Sequence, residues 1–234
     1  MLKRLARDLT PPLLWRAAGV LTRSAAEHAT AARSQHYRAG IEQPPSYYDA
    51  TFRESSHWRR HYTESRYFPL WTVVADRVRR ARVRSVLDVG CGPGQVACLL
   101  RDRGLERYRG LDFSPDRVAA ARAVCPEFIF EVADVFAPDE GKPDVFEGGD
   151  YDCVLALEFL EHVERDREVL ERVRTGALVI ATVPNFPSPG HVRHFDDVEA
   201  VVERYSETLD EIDVVAIQAT ATGKTYYLIE GQAR

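Results

Sequence analysis

Short runs of apolar, often β-branched residues alternate with segments of helical periodicity along most of the chain. Such runs predict seven strands, at residues 86–89, 108–112, 128–132, 151–157, 177–183, 211–217 and 224–229. Between them, apolar spacing and capping residues predict helices that start near residues 95, 115, 164 and 198. Strands that alternate with helices are typical of a parallel sheet covered by helices on both faces.

Three glycines at alternate positions, Gly90, Gly92 and Gly94, join the first predicted strand to its helix. Glycine lets the backbone approach a ligand closely, and a helix start offers unpaired N–H groups to an anion. This arrangement predicts a site for a nucleotide-like cofactor with an anionic part. The glycine spacing differs from the G-x-G-x-x-G of dinucleotide-binding folds, which counts against NAD and an oxidoreductase.

An acidic residue, Asp112, ends the second predicted strand. It lies 22 residues beyond Gly90, close to the distance at which Rossmann-type folds place a carboxylate on ribose hydroxyls. A carboxylate offers two acceptor oxygens to a vicinal diol, so the residue type suits this role. A capping or turn aspartate is the structural alternative, which the position makes the weaker interpretation.

The segment 87–94, Leu-Asp-Val-Gly-Cys-Gly-Pro-Gly, resembles the first motif of class I S-adenosylmethionine-dependent methyltransferases. The stretch 158–162, Glu-Phe-Leu-Glu-His, is similar to one found in the small-molecule O-methyltransferase branches of that family. The resemblance covers residues from about 80 to 234. It implies a doubly wound, Rossmann-like α/β fold whose seven strands have the order 3-2-1-4-5-7-6, the last antiparallel.

The resemblance also implies S-adenosylmethionine as the cofactor, with Asp134 facing the adenine amino group. The residues expected to bind it are Asp88, Gly90, Cys91, Gly92, Gly94, Gln95, Asp112, Phe113, Asp134, Val135 and Leu157. The expected partner is a small-molecule methyl acceptor, such as a sugar, a phenol or a natural product with a free hydroxyl.

Residues 1–80 match no motif and are predicted to form a helical, aromatic-rich extension or lid, with the methyltransferase core at 81–234. The first 40 residues are basic, and their apolar stripe is broken at Pro11-Pro12. One interpretation is an amphipathic helix in which residues 1–30 contact a membrane surface. We favour the other, a helix docked on its own domain or on a second copy in a homodimer.

Composition limits the class of protein further. A chain of 234 residues with 45% hydrophobic and 29% charged residues fits one globular domain with an extension. The net charge of −5 gives no general attraction to nucleic acid, so no nucleic-acid partner is expected. Four scattered cysteines predict reduced core thiols in the cytoplasm and no zinc site. No apolar run is long enough to cross a bilayer.

Polar residues after the fourth and fifth predicted strands are the candidates for catalysis. An oxygen nucleophile is helped by a base that titrates near pH 7, and His162, His191 and His194 are the candidates, with Glu158 as a further catalytic residue. The alternative is a metal site in which Glu158, Glu161 and His162, on one helical turn, combine with His191 or His194.

Small-RNA 2′-O-methyltransferases are similar at this stretch and use a metal. The present sequence departs from their pattern after the fifth strand, and its acidic charge does not suit RNA. We therefore expect one of the three histidines to act as base, with no metal. A noncatalytic cofactor-binding or scaffold protein is a further alternative, which the histidines and glutamates disfavour.

Overall fold

One mixed sheet organises the part of the chain that this computed structural model describes, residues 40–137, 144–147, 150–218 and 224–234. Its seven strands have the order β3-β2-β1-β4-β5-β7-β6. β7 runs antiparallel to β5 and β6, and the other neighbouring pairs are parallel. The predicted fold class and strand order are confirmed. The strands are β1 (Ser85–Val89), β2 (Arg107–Asp112), β3 (Ile129–Val132), β4 (Cys153–Leu157), β5 (Leu178–Pro184), β6 (Leu209–Gln218) and β7 (Thr225–Ala233).

Six α-helices lie in the described residues: α1 (Pro45–Glu54), α2 (Phe68–Arg80), α3 (Gln95–Asp102), α4 (Pro115–Val124), α5 (Asp166–Glu171) and α6 (Val198–Tyr205). Two of them begin where capping residues predicted a start. The Ser114 side chain accepts a hydrogen bond from the Arg117 N–H, and that of Asp197 accepts one from the Ala200 N–H. Each cap satisfies an N–H group that the first helical turn leaves unpaired.

The two central strands are buried on both faces. All five residues of β1 and all five of β4 are buried. Because successive side chains of a strand point to opposite faces, Val86 joins one hydrophobic cluster and Leu87 the other. In the same way Leu155 and Ala156 of β4 lie in different clusters. This explains why these strands read as continuous apolar runs rather than as alternating ones.

The aromatic residues before the first strand largely serve as anchors. α2 buries Leu70, Trp71 and Val74 in the cluster that also contains Val86. The Tyr67 ring lies 5.6 Å from that of Trp71 and 5.7 Å from that of Tyr226 on β7. The predicted boundary at residue 80 stays a prediction, and the expected contacts of residues 1–30 lie outside the described residues. Among described helices, none has the length and apolarity that a bilayer span requires.

The sheet brings four loops to one edge. β1, β2, β4 and β5 are parallel, so the segments that follow them emerge at the same end. The chain leaves β1 toward β2 on one side and leaves β4 toward β5 on the other. Such a reversal of strand order opens a crevice beyond the carboxyl ends of the strands, where α/β folds bind ligands. The candidate site is therefore expected between β1 and β4.

Candidate functional site

The glycine loop lies at this crevice, and its backbone takes conformations that L side chains rarely adopt. The φ angles of Gly90, Gly92 and Gly94 are +79°, +55° and +82°. A Cβ placed on Gly92 would meet no atom within 4 Å, so a side chain there would enter open space. At Gly94 it would lie 3.0 Å from Ala121 of α4. The loop thus leaves space above Gly92 and packs tightly at Gly94.

Asp112 connects this loop to the end of β2. One carboxylate oxygen accepts a hydrogen bond from the Gly92 N–H and the other from the Ser114 N–H, both at 2.9 Å. Burial raises the pKa of Asp112, while the Arg117 charge and the two backbone donors act in the opposite direction. A carboxylate has about four lone-pair sites, so each oxygen keeps one for a ligand.

A cavity opens beside Gly90 and Asp112. Its empty space, counted out through its open mouth into solvent, is about 660 Å³. Seven of the residues that the sequence predicts for the site line it: Gly90, Asp112, Phe113, Asp134, Val135, Glu158 and His162. The remaining lining residues are Glu42, Gln43, Tyr48, Leu111, Arg117, Ala133, Phe136, Phe159 and Val163. The topology therefore gathers the cofactor and catalytic candidates around one space.

Six predicted cofactor residues do not line this cavity, and two of them are Gly92 and Gly94 of the glycine loop. Asp88 is buried and accepts a hydrogen bond from the Tyr108 hydroxyl, and burial raises its pKa to about 7. Gln95 donates its amide to the Arg60 carbonyl at 2.8 Å. Cys91 and Leu157 lie in the hydrophobic core. Their contact with a cofactor stays a prediction.

Among the lining residues outside the predicted set, Tyr48 and Arg117 carry polar groups into contact with the predicted ones. The Tyr48 ring lies 5.1 Å from that of Phe113 and 5.8 Å from that of His162. The Arg117 guanidinium lies 5.1 Å from the centre of the Tyr48 ring and 5.3 Å from that of Trp58. Burial raises the pKa of Tyr48, so its phenol stays neutral. The dense aromatic stretch before residue 72 indicated Tyr48, but Arg117 carries no local signal.

The chain turns sharply where it leaves β4. Glu158 adopts a φ of +53°, a conformation that strains an L residue. Its N–H donates to the Thr182 hydroxyl at 2.8 Å, and that hydroxyl donates to the Glu158 carboxylate at 3.1 Å. Burial raises the pKa of Glu158 to about 8.

The next residues do not form the helical turn that their spacing predicted. Leu160–His162 is a 3₁₀ turn, closed by a hydrogen bond of 2.9 Å from the His162 N–H to the Phe159 carbonyl. The turn is tighter because the chain enters it through the positive φ of Glu158. Glu158 therefore does not share a helical face with Glu161 and His162, although it lines the same cavity as His162.

Two imidazoles meet beside this turn. The ring centres of His162 and His191 lie 4.8 Å apart. Nδ1 of His162 is 2.9 Å from the Gly190 carbonyl, and Nδ1 of His191 is 3.2 Å from that of Phe186. Because a carbonyl only accepts, each Nδ1 carries the hydrogen and each Nε2 keeps its lone pair. Burial lowers the pKa of His162 to about 3 and that of His191 to about 4. His194, the third predicted base, is exposed and lies outside the pair.

Glu161 lies next to these rings and is fully buried. Its Oε1 is 4.0 Å from Nε2 of His162. Within the described residues, neither carboxylate oxygen has a hydrogen-bond partner. Burial raises the pKa of Glu161 well above its usual range, and the charge of Glu158 adds to this rise. Glu161, His162 and His191 each offer one ligand atom, and these atoms lie within 4.8 Å of one another.

Comparison with known proteins supports the resemblance that the sequence motifs indicate. Residues 87–179 match the model of a family described as a methyltransferase domain. The chain is 31% identical over 137 residues to a trans-aconitate 2-methyltransferase of Escherichia coli (strain UMN026), an alignment that covers 56% of this chain and 52% of the relative. Over these residues the chain is thus similar to methyltransferases, in agreement with the resemblance to the class I S-adenosylmethionine-dependent family.

A second relative is the trans-aconitate 2-methyltransferase of Rhodococcus jostii (strain RHA1). It is 33% identical over 144 residues, which cover 58% of this chain and 52% of the relative. The methyltransferase chain thus spans about half the length of the curated relatives it matches.

Among solved structures, the N-terminal domain of EvdMO1 with bound SAH shares the fold. Its TM-score is 0.51 at 19% identity, over 68% of this chain and 81% of that one. The predicted resemblance to methyltransferases is confirmed over residues 87–179, and S-adenosylmethionine is the cofactor that this resemblance implies.

Proposed function

We propose that this methyltransferase transfers the methyl group of S-adenosylmethionine to an oxygen atom of a small acceptor. The observation that carries the proposal is the shared cavity, which Gly90, Asp112, Tyr48, Glu158 and His162 all line. A cofactor and a small acceptor would then meet in one space that opens to solvent. Such closeness replaces a bimolecular encounter by an oriented one.

The residues present fit the cofactor. Each Asp112 oxygen accepts one backbone N–H and keeps a lone pair for a ribose hydroxyl. The open space above Gly92 admits a group that any side chain would exclude. Phe113 and Val135 offer apolar surfaces for a flat base. Asp134 lines the same cavity, where it could accept a hydrogen bond from the adenine amino group. These contacts are part of the proposal.

Toward the acceptor, the protein has to orient the oxygen, exclude water and receive a proton. When bound, S-adenosylmethionine supplies a methyl group on a sulfonium leaving group. The Glu158 carboxylate, held by Thr182, lines the cavity and can accept the proton of an acceptor hydroxyl. The neutral Tyr48 phenol can hydrogen-bond the acceptor and fix its orientation.

The relatives support a small acceptor. They are named for trans-aconitate, a small acid, and the cavity of the present chain also contains the cationic Arg117. A net charge of −5 gives no comparable support for a nucleic-acid acceptor. We propose a hydroxylated small molecule as the acceptor. Small carboxylic acids are the alternative acceptors, and the test below includes one. A cytoplasmic location, consistent with four free and buried cysteines, and a homodimer stay predictions.

The test combines binding with transfer. Calorimetry should show saturable binding of S-adenosylmethionine and none of NAD. Labelled cofactor should then methylate members of a panel that contains a catechol, a sugar, trans-aconitate and a short RNA. Methylation of the RNA alone, or no binding of S-adenosylmethionine, would contradict the proposal.

Glu158→Gln should lower turnover by about 100-fold or more while cofactor affinity is kept, since only the proton acceptor is lost. The matched control is Glu164→Gln, an exposed glutamate six residues further along the chain, for which turnover should stay near that of the unaltered protein. Equal turnover in both variants would show that Glu158 is not the proton acceptor.

A further inference from the structure

We propose that Glu161, His162 and His191 hold one divalent transition-metal cation beside the cavity. The three side chains come from two loops, one after β4 and one after β5. One ligand atom of each lies within 4.8 Å of the others. Ligand atoms around a cation at about 2.1 Å lie about 3–3.5 Å apart in tetrahedral or octahedral geometry, so side-chain shifts of about an ångström close the site.

The buried carboxylate of Glu161 is the first argument. It is fully excluded from solvent, and neither oxygen receives a hydrogen bond from the described residues. Buried carboxylates are normally paired, hydrogen-bonded or bound to a metal, because an unpaired buried charge is strongly destabilising. The charge of Arg193 acts on Glu161, but Arg193 does not donate a hydrogen bond to its carboxylate. The Arg193 guanidinium donates instead to the carbonyls of Leu160, Val163 and Glu164.

The orientation of the two imidazoles is the second argument. Both rings donate from Nδ1 to a backbone carbonyl, of Gly190 and of Phe186. This is the usual arrangement of metal-bound histidine, in which the carbonyl fixes the tautomer and leaves Nε2 free to bind. In His162, Nε2 is also the atom that faces Glu161, at 4.0 Å.

The two loops are tied together, so the ligand atoms are held near one another. The Val192 N–H donates to the Glu161 carbonyl at 2.8 Å. The bond from His162 to Gly190 joins the same loops. Arg193 adds an ion pair with Asp166, at 3.3 Å, in addition to its bonds to the turn carbonyls. A site built on such cross-links is preorganised, and little reorganisation opposes cation binding.

The ligand set indicates which cations suit it. Two imidazole nitrogens and one carboxylate favour Mn²⁺, Fe²⁺, Co²⁺ or Zn²⁺ over Ca²⁺ and Mg²⁺, which prefer oxygen ligands. Three protein ligands leave coordination positions of the cation open. Because His162 also lines the cavity, these open positions would be reached from the cavity. An acceptor with a hydroxyl beside a second oxygen donor, such as a catechol or a hydroxy acid, could occupy them. This last step rests on the proposed function.

The first test measures cation binding without cofactor or acceptor. The purified full chain is treated with a chelator, dialysed and titrated with Mn²⁺, followed by electron paramagnetic resonance and calorimetry. We expect one Mn²⁺ per chain. The variants Glu161→Gln, His162→Ala and His191→Ala should each lower Mn²⁺ affinity at least about tenfold. The control is His194→Ala, which removes an exposed histidine of the same loop. This variant should bind Mn²⁺ as tightly as the unaltered protein.

Two outcomes would overturn the site: no saturable binding of Mn²⁺, Co²⁺ or Zn²⁺ by the unaltered chain, or one bound cation whose affinity none of the three variants changes. Circular dichroism and S-adenosylmethionine affinity of each variant show whether it is folded. Co²⁺ gives a second readout, since its visible absorption reports nitrogen ligands and should weaken in both histidine variants.

A second test separates the cation site from the proposed function. Chelation should abolish methyl transfer to a catechol, and added Mn²⁺ should restore it. If the chain binds Mn²⁺ as expected but transfers no methyl group to any acceptor, the proposed function fails and the cation site stands. If transfer to the catechol is indifferent to the chelator, the role of the cation in acceptor binding is refuted.

Discussion

Two buried carboxylates, on opposite sides of the crevice, differ in how the protein treats them. Asp112 is 6% exposed and receives two backbone hydrogen bonds of 2.9 Å. Glu161 is 0% exposed and receives none from the described residues. The Asp112 carboxylate is thus hydrogen-bonded by backbone donors of the chain itself. The side of Glu161 contains a group that a ligand can complete, which is the difference expected between a fixed cofactor site and a cation site.

The backbone shows the same contrast. On the cofactor side, the positive φ angles fall on Gly90, Gly92 and Gly94, where no side chain opposes them. On the other side, Glu158 adopts a φ of +53°, which costs about 1–3 kcal/mol for an L residue. Strain of this kind persists only where surrounding contacts hold it, as the two hydrogen bonds with Thr182 do. The side that contains Glu158 is thus the more strained of the two.

The largest effect is expected from Gly92→Val on the cofactor side. The new side chain would enter the open space above the loop, so affinity for S-adenosylmethionine should fall by at least about 1,000-fold, or about 4 kcal/mol. Gly104→Val is the matched control: its φ is +86° and its Cβ also meets nothing within 4 Å, but it lies at the far end of α3. Both variants lose stability, and only the first should lose binding in calorimetry. Equal affinities would place the cofactor elsewhere.

The next effect concerns Asp88. Its carboxylate accepts one hydrogen bond, from Tyr108, whereas that of Asp112 accepts two and that of Glu161 accepts none from the described residues. The pKa of Asp88 is about 7 in the folded protein, because burial and the Asp112 charge outweigh the Tyr108 hydrogen bond. The thiols of Cys91 and Cys153 also face it. An unfolded aspartate titrates near 4, so the folded state keeps a proton that the unfolded state loses. The contribution of the Asp88 carboxyl to the free energy of unfolding is therefore fully present below pH 4 and is lost as the pH rises toward 7.

Asp88→Asn should remove this fall, because the amide stays neutral. A pKa difference of about 3 corresponds to about 4 kcal/mol, so the free energy of unfolding of the variant, relative to the unaltered protein, should rise by up to that amount between pH 4 and 8. Urea unfolding at several pH values measures it, with Asp150→Asn, an exposed aspartate, as control. A relative stability that does not change with pH would contradict the prediction.

The fold around the glycine loop could be predicted from the sequence because its signals are local. The run 86–89, the glycines after it and the acid at 112 are adjacent in sequence or separated by one regular unit, and the sheet brings them together as the motif implies. The strands matched within a few residues because central parallel strands read as continuous apolar runs. Ser114 and Asp197 likewise marked helix starts by local capping chemistry.

The other side could not be predicted in the same way. That Glu161 lacks donors is a property of its packing, and no pattern of residues states it. Its pairing with His191 depends on hydrogen bonds between two loops, and the predicted helical turn is a 3₁₀ turn. Arg117 reaches the cavity from α4, where an arginine among alanines looks like a solvated surface residue. Hence the sequence favoured a histidine base without a metal, and the metal site was its weaker alternative.

A smaller effect is expected from Asp112→Ala, which removes the acceptor for two backbone donors and for the ribose hydroxyls. Affinity for S-adenosylmethionine should fall by about 10- to 100-fold, or about 1–3 kcal/mol. Calorimetry measures it, and Asp116→Ala, whose ion pair with Arg53 lies on the surface, is the control. Unchanged affinity in the Asp112 variant would mean that the carboxylate serves only the loop.

The smallest expected effect is in the opposite direction, at Glu161. In the presence of a chelator, Glu161→Met should raise the free energy of unfolding by about 1–2 kcal/mol, because an apolar side chain of similar volume replaces a buried group that lacks donors among the described residues. With Mn²⁺ at ten times its dissociation constant, the unaltered protein should gain about 1.4 kcal/mol and the variant nothing, so the difference should shrink or reverse. Urea unfolding with and without Mn²⁺ measures both. If the variant is less stable in chelator and Mn²⁺ changes neither protein, Glu161 is satisfied by the protein itself, and the contrast with Asp112 disappears.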